Sequence, residues 1–398
     1  MKPIPYGKQQ ITAGDVGAVV DTLGADFLTQ GPRVKSFEEA FASYVGSAYA
    51  VAVSNGTAAL HLCAMVLGVK EGDKVITTPI TFAASANCIR YCGGEVVFAD
   101  IDPDTYLLDI VAVRSLLEAA PKGTYSGIVP VDFAGRSVNL EAFRALADEF
   151  GLWMIEDSCH APGGHFISSK DEPQHCGNGN FADLAIFSFH PVKHIAAGEG
   201  GMITTNNEGL YNQLLALRTH GIVRQEDIYV NDLDTAFGIE GADYVNYPGW
   251  YMEMQHLGYN YRLTDIQAAL GESQLGRAQE GLARRREIAE RYEQAFEGAS
   301  FMKGQSGKVE GHAYHLYVVE VDDRRGLYQH LRLQKIFPQI HYIPTHLMPY
   351  YQQFGWSKGD MPHAEKYYSR CISLPMYPTL TNEEQDFVIG QIKSYYGE

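Results

Sequence analysis

Two rhythms of apolar residues alternate along the first part of the chain. Short β-branched runs predict strands: YAVAV (Tyr49 to Val53), KVITT (Lys74 to Thr78), EVVFADI, GIVPVDF and LWMIED. Between them, SNGTAALHLCAMVLG, TFAASANCIRYCGG and NLEAFRALADEFG carry helical spacing and close on glycine. Upstream, Val16, Val19, Val20 and Leu23 share one helical face, as do Val34, Phe37, Phe41 and Tyr44 before a stop at Gly46. Helices alternating with apolar strands predict an α/β fold, its mainly parallel sheet covered by helices on both faces.

Beyond Asp157 the pattern changes. FADLAIFSFH and GMITT predict strands that flank PVKHIAAGEG, followed by a helix to about Arg218. Residues 221–258 read as a long loop, and loops of that length in compact domains are usually functional. TDIQAALGESQLGRAQEGLARRREIAERYEQAFEG reads as one long helix, and AYHLYVVEV, FPQIHYI and a terminal helix around NEEQDFVIGQIKSYY predict a smaller α/β domain. The expected division is a large domain over residues 1–263, then the long helix and small domain over 264–398.

Composition narrows the class. With 398 residues, 45% hydrophobic and 20% charged, the chain is globular and long enough for two or three domains. Its net charge of −17 lacks the footprint of a nucleic-acid or anionic-membrane binder. The one dense basic run, Arg284–Arg285–Arg286, has Glu on both sides and reads as a solvated helix face. No stretch nears the ~18 apolar residues of a membrane span. The segment MKPIPYGKQQITAGD has no apolar core of the signal-peptide kind. Six scattered cysteines do not form a disulfide framework. A cytoplasmic protein without nucleic-acid or membrane partners is expected.

Three constellations fall at strand ends or helix starts, where open α/β sheets bind ligands. Ser54–Asn55–Gly56–Thr57 joins a strand to a helix, as a phosphate cup or a simple small-residue cap. Glu156–Asp157–Ser158–Cys159–His160 ends a buried strand in carboxylates, facing a cation or capping a helix. In the third, Ser188-Phe-His-Pro-Val-Lys193, a lysine sits between an apolar strand and a Gly-rich turn. Such a lysine is either a surface residue or a reactive amine of lowered pKa. Together they supply what pyridoxal phosphate needs: an amine for the aldehyde, an acid for the ring nitrogen and donors for the phosphate.

The chain resembles the DegT/DnrJ/EryC1/StrS sugar aminotransferases. The likeness is carried by FLTQGP, SNGTAALHL, ITTPITFAASAN, VDFAG, IEDSCHAPGG, FSFHPVKHIAAGEGG, GYNYRLTDIQAALG, HYIPTHLMPYY and SLPMYP. It implies pyridoxal-phosphate fold type I, the aspartate aminotransferase-like fold. Within the family the motifs are most like those of the pseudaminic acid pathway transaminases. These pass the amino group of L-glutamate to C4 of a nucleotide-linked keto sugar, UDP-2-acetamido-2,6-dideoxy-β-L-arabino-hexos-4-ulose. Carried across by motif, Lys193 would bind the cofactor covalently and Asp157 would pair with its ring nitrogen, with His160 at the ring edge. Gly56, Thr57 and Ser188 would hold the phosphate and Phe82 would stack on the ring. Asn260 would reach the phosphate of a neighbouring subunit, making a homodimer with shared active sites. Tyr6, Asp26, Phe27, Leu28, Thr29, Tyr314, His315, Leu316 and Tyr317 match segments that line the sugar-nucleotide site. Lysine rather than histidine at 193 favours transamination over the dehydration of some relatives. Ala196–Ala197 departs from the usual threonine pair, and the insertion before Asn260 is expected to shape the substrate mouth.

Rival readings remain open at this level. Other nucleotide-linked keto sugars of the perosamine or 4-amino-4,6-dideoxyglucose type, or a non-catalytic regulator on the same fold, share these motifs. SNGTAAL is not the GxGxxG of a nicotinamide enzyme. His160, His165, His175 and Cys176 have no metal-ligand spacing, so no metal is expected. Cys88 and Cys92 read as packed thiols on a helix, and the cluster from His341 to His346 reads equally as substrate contact or packing.

Overall fold

The computed structural model describes residues 2–241, 244–307 and 309–398; residues 242 and 243 of the expected insertion lie outside the described residues. The β-branched runs become seven strands: β1 (Tyr49–Val53), β2 (Lys74–Thr77), β3 (Glu95–Phe98), β4 (Gly127–Val129), β5 (Trp153–Asp157), β6 (Leu184–Ser188) and β7 (Gly201–Thr205). They lie in the order β1-β7-β6-β5-β4-β2-β3. Every neighbouring pair is parallel except those of β7, which runs antiparallel to both β1 and β6. Gly201 therefore pairs with Val53 on one side and Ser188 on the other. The ends of β1, β5 and β6 and the start of β7 share one sheet edge, and all three constellations sit there. Helices cover both faces, so the strands are almost wholly buried. Phe41 of the helix Pro32–Val45 packs edge-on against Phe187 and Phe189, Phe37 packs tilted against Phe189, and each ring is fully buried. Burying a side chain of this kind contributes roughly 1.5–3 kcal/mol.

A second core is built on a three-stranded antiparallel sheet with Tyr317–Val321 between Met302–Gly304 and Cys371–Leu374. Helices Ala278–Ala295, Arg324–Leu333 and Asn382–Tyr396 supply its apolar cover. The N-terminal strand Ile4–Pro5 crosses to this unit, pairing with Ile336–Phe337 and burying Ile4 in its core.

Three expectations are corrected. The long helix is two, Asp265–Leu275 and Ala278–Ala295. The chain turns at Gly276–Arg277, where Arg277 is anchored to Asp15 and to the carbonyl of Gln10. The helix Ala13–Leu23 does not bury its valine face: Val16, Val20 and Leu23 are more than half exposed. It docks instead through fully buried Asp15, which accepts from Ser273 Oγ (2.7 Å) and Gln274 Nε2 (2.9 Å). Nor do the three arginines form a solvated face. Arg285 is buried and donates to the carbonyls of Tyr314, His315 and Met376, Arg284 to that of Leu380, and Arg286 to that of His312. They tie the second helix to backbone that helices and strands leave unpaired.

Residues 221–258 hold more than loop. Ile222–Val223 pairs with Glu253–Met254, and Glu253 accepts from the amides of Val230 and Asn231 and from Tyr251 Oη (2.8, 2.9 and 2.9 Å). Those donors hold its carboxyl down to about 2 against the opposing effect of burial. Tyr229, Tyr247 and Tyr251 pack against one another beside this cluster. Among the described residues no helix is long and apolar enough to cross a membrane.

Candidate active site

A cavity of about 770 Å³ opens at the shared sheet edge, and the three constellations line it together. β1 delivers the first. Its chain turns at Ser54 into the helix Gly56–Val66, where Asn55 Oδ1 caps the amide of Ala58 (2.8 Å). The first-turn amides of Gly56 and Thr57 have no intrahelical acceptor, as at any helix start, and the helix dipole favours an anion there. A Cβ added at Gly56 would lie 3.1 Å from Ser188 Cβ, so glycine lets the helix start approach the end of β6 closely.

β5 delivers Asp157 to the same space. Its Oδ2 accepts from Ser85 Oγ at 2.6 Å and its Oδ1 from the amide of Cys159 at 3.1 Å. His160 lies one turn on. Its Nδ1 accepts from the amide of Ala134 (3.2 Å), which leaves Nε2 as the protonated nitrogen, 3.1 Å from Tyr342 Oη. Burial, reinforced by Lys193, holds this imidazole far below the ordinary histidine range, so it is neutral. The ring of His315 backs it at 4.4 Å.

Lys193 stands in the arc between β6 and β7, its amide bonded to the carbonyl of His190 (2.8 Å). Burial pulls its pKa below the ordinary lysine range; Cys159 and Asp157 oppose that shift and the Arg285 cation adds to it. The amine is therefore more available as a nucleophile or base than a surface lysine. Ala196 and Ala197 are buried beneath the arc, and the amide of Ala197 bonds the carbonyl of Phe189.

The other expected residues divide. Tyr6, Phe82 and Ser188 line the cavity. Phe82 stands 64% exposed at its mouth, a cost in apolar exposure that a ligand's ring face would relieve. His315 does not line the cavity but packs behind it against the rings of His160 and His194. Tyr314, Leu316 and Tyr317 are not in this cavity; they line a separate one of about 290 Å³, where Tyr314 Oη donates to Glu293 (3.1 Å). The strand Tyr317–Val321 begins here; Tyr314 and Tyr317 pack on the small-domain core, while Leu316 packs on that of the large domain. Asp26, Phe27, Leu28 and Thr29 are exposed and outside the cavity, with the Leu28 carbonyl accepting from the amide of Asp265. Asn260 is likewise exposed, its backbone bridged to Thr219. None of these five lines the pocket of this chain.

Sequence reasoning missed Thr81, Ser85, Tyr261 and Tyr342, all of which line the cavity. For Tyr342 the signal was present in the undecided cluster, which the fold splits. His341 and Tyr342 face the pocket, while His346 is buried against Glu365 at 3.0 Å. His165 and His175 face one another across a hairpin with ring centroids 5.6 Å apart.

These residues fit pyridoxal phosphate. Amine and carboxylate converge on one cavity of sufficient size, a helix start with a glycine cradle offers amides for a phosphate, and an exposed ring waits at the mouth.

Comparison with known proteins points the same way. The model of the DegT/DnrJ/EryC1/StrS aminotransferase family matches residues 9–393. The spore coat polysaccharide biosynthesis protein SpsC of Bacillus subtilis is 37% identical over 98% of this chain and 96% of its own. Among solved structures, Helicobacter pylori PseC, an aminotransferase of pseudaminic acid biosynthesis, superposes with a TM-score of 0.86 at 28% identity, covering 100% of both chains. The PLP form of a putative sugar aminotransferase, Spr1654 of Streptococcus pneumoniae, gives 0.85 at 28% identity over 99% of each chain. With the family model matching nearly end to end, on a fold and a pocket suited to that cofactor, the chain belongs to the DegT/DnrJ/EryC1/StrS aminotransferase family and is a pyridoxal-phosphate-dependent sugar aminotransferase.

Proposed function

We propose that this enzyme moves the amino group of L-glutamate to C4 of a nucleotide-linked 4-keto-6-deoxy sugar. The sugar we favour is UDP-2-acetamido-2,6-dideoxy-β-L-arabino-hexos-4-ulose of pseudaminic acid biosynthesis. The observation that carries the reading is the convergence of Lys193 and Asp157 on one cavity beside the Gly56–Thr57 helix start. Likeness to PseC supports the sugar.

When bound, pyridoxal phosphate supplies an electrophilic carbon for the amino group and a ring that spreads the charge left by proton removal. Lys193 would hold it through Nζ, and the same amine, its pKa lowered by burial, would serve as the base that takes up and returns the proton. Asp157 would pair with the ring nitrogen. Gly56, Thr57 and Ser188 would hold the phosphate, Phe82 would cover a ring face, and His160, fixed by Ala134 and Tyr342, would stand beside the ring. Asn260 of a second copy completes the phosphate site, so the working unit is a cytoplasmic homodimer. Its large domain spans residues 1–263 and its small domain 264–398.

Absorption spectra before and after L-glutamate, with borohydride trapping and peptide mapping, test the first half. A cofactor band trapped on Lys193 and bleached by glutamate is expected; a trapped band that glutamate leaves unchanged removes the donor assignment. Mass spectrometry after adding the keto sugar tests the second half. An amino sugar is expected, and turnover only with a different keto sugar replaces the substrate named here.

A further inference from the structure

Ser85 was not among the residues carried over by motif, yet it makes the shortest contact to the site's acid. Its Oγ donates to Asp157 Oδ2 at 2.6 Å, and Thr81 Oγ1 lies 2.7 Å from the same Oγ. Ser85 is fully buried, Thr81 1% exposed and Asp157 5% exposed. A serine hydroxyl has one proton. With that proton committed to the carboxylate, Thr81 must be the donor to Ser85, and the three groups form a one-way chain, Thr81 to Ser85 to Asp157. Chains of this kind strengthen each member by polarisation. The Cys159 amide holds the other oxygen, so the carboxylate is fixed on two flanks and keeps its remaining lone pairs for the cavity.

Both hydroxyls belong to the turn that carries Phe82. Ser85 Oγ also lies 3.3 Å from the carbonyl of Phe82. Phe82 precedes Ser85 by three residues on this turn, so the face-covering ring and the group that holds the acid share one segment, with Ser85 lying 72 residues from Asp157 in sequence.

We propose that Ser85, oriented by Thr81, is a positioning residue that holds the Asp157 carboxylate aimed at the cofactor's ring nitrogen, on the same turn as Phe82. The proposal rests on the cofactor reading of this pocket. The groups facing Asp157 are the thiols of Cys63, Cys88 and Cys159, the Lys193 amine and the Tyr342 hydroxyl. Against these, Ser85 Oγ and the Cys159 amide donate directly to its two oxygens.

The test compares wild type, Ser85→Ala, Ser85→Thr and Thr81→Val, each reconstituted with pyridoxal phosphate labelled with nitrogen-15 in the ring. The ring-nitrogen shift reports protonation directly and does not depend on turnover. In Ser85→Ala it should move toward the unprotonated value, and the glutamate half-reaction should slow roughly 10- to 100-fold, the range for losing a hydrogen bond to a charged group. KM for glutamate should stay unchanged. Ser85→Thr should restore both readouts, and Thr81→Val should shift both in the same direction by less. A wild-type shift and rate in Ser85→Ala overturn the proposal while leaving the cofactor assignment intact. Should Ser85→Ala fail to hold cofactor, Thr81→Val decides, and an unmoved shift there overturns it. If wild type itself makes no covalent adduct on Lys193, the cofactor reading fails first and takes the proposal with it.

Discussion

Asp132 and Glu156 meet on a single hydroxyl: Ser158 Oγ lies 2.6 Å from Asp132 Oδ2 and 2.7 Å from Glu156 Oε1. All three are buried, directly behind Asp157. One hydroxyl proton serves only one of these acceptors, so the other carboxyl must carry a proton of its own and donate it. Burial raises both groups, Asp132 to about 6 and Glu156 well above its ordinary range, with Asp132 adding to the rise at Glu156. The amides of Val138 and Gly177 take up remaining lone pairs.

Stability should therefore fall as pH rises across this window. Between about pH 4, where free carboxyls titrate, and about pH 6, the folded pair holds more protons than the unfolded chain. The slope of unfolding free energy with pH is negative wherever the folded state binds the excess. Asp132→Asn keeps the acceptor for Val138 and offers Ser158 an N–H, so it should flatten this slope. Urea midpoints at about pH 4.5 and about pH 7 measure it; an unchanged slope in the variant refutes the shared proton.

Lys193→Ala should abolish the covalent cofactor band and lower turnover by at least about 10³-fold, since nucleophile and proton carrier are lost together. Stopped-flow absorbance with glutamate checks both, and substantial residual conversion would exclude the lysine from the chemistry.

Asp157→Asn should still bind cofactor, because the phosphate and ring-face contacts remain. It should slow the glutamate half-reaction by roughly 10²-fold through loss of a charge-assisted hydrogen bond to the ring nitrogen. Equilibrium dialysis separates binding from rate, and a wild-type rate would remove the acid's role.

Arg285→Met should destabilise the fold by about 3 kcal/mol, as the carbonyls of Tyr314, His315 and Met376 lose their common donor. Burial already lowers this guanidinium to about 9, and removing that strain offsets part of the loss. Chemical denaturation gives the number; a neutral substitution would mean that water replaces the donor.

Mixing inactive Lys193→Ala with inactive Asn260→Ala should regain about a quarter of wild-type activity, because half of the random pairs would hold one intact site. Separate refolding of each variant supplies the baseline. No recovery on mixing would place Asn260 in its own chain's site, or outside any site.

The sheet was legible because its signal is local. β-branched runs closed by Gly, Asn and Asp mark β1 through β7, and Lys193 and Asp157 could be placed because they sit at the ends of such runs. The failures have partners distant in sequence. Arg285 reads as one of three charges on a polar helix, and only acceptors 29, 30 and 91 residues away bury it. Ser85 reads as a helix residue until Asp157 arrives from 72 positions on, and Tyr342 meets His160 across 182. The valine face of Ala13–Leu23 misled because a buried Asp15, bonded to Ser273 and Gln274, outcompeted it.

The reversed strand β7 has a consequence for how such a protein diversifies. Gly201 and Ser188 are paired neighbours, so the arc carrying Lys193 leaves the sheet and returns to the adjacent strand, with both ends pinned. A change of residue or length inside the arc alters no strand register, because the frame on either side is already closed. The reactive position is thus a replaceable insert in a fixed mount, and new chemistry can be tried at 193 without renegotiating the fold.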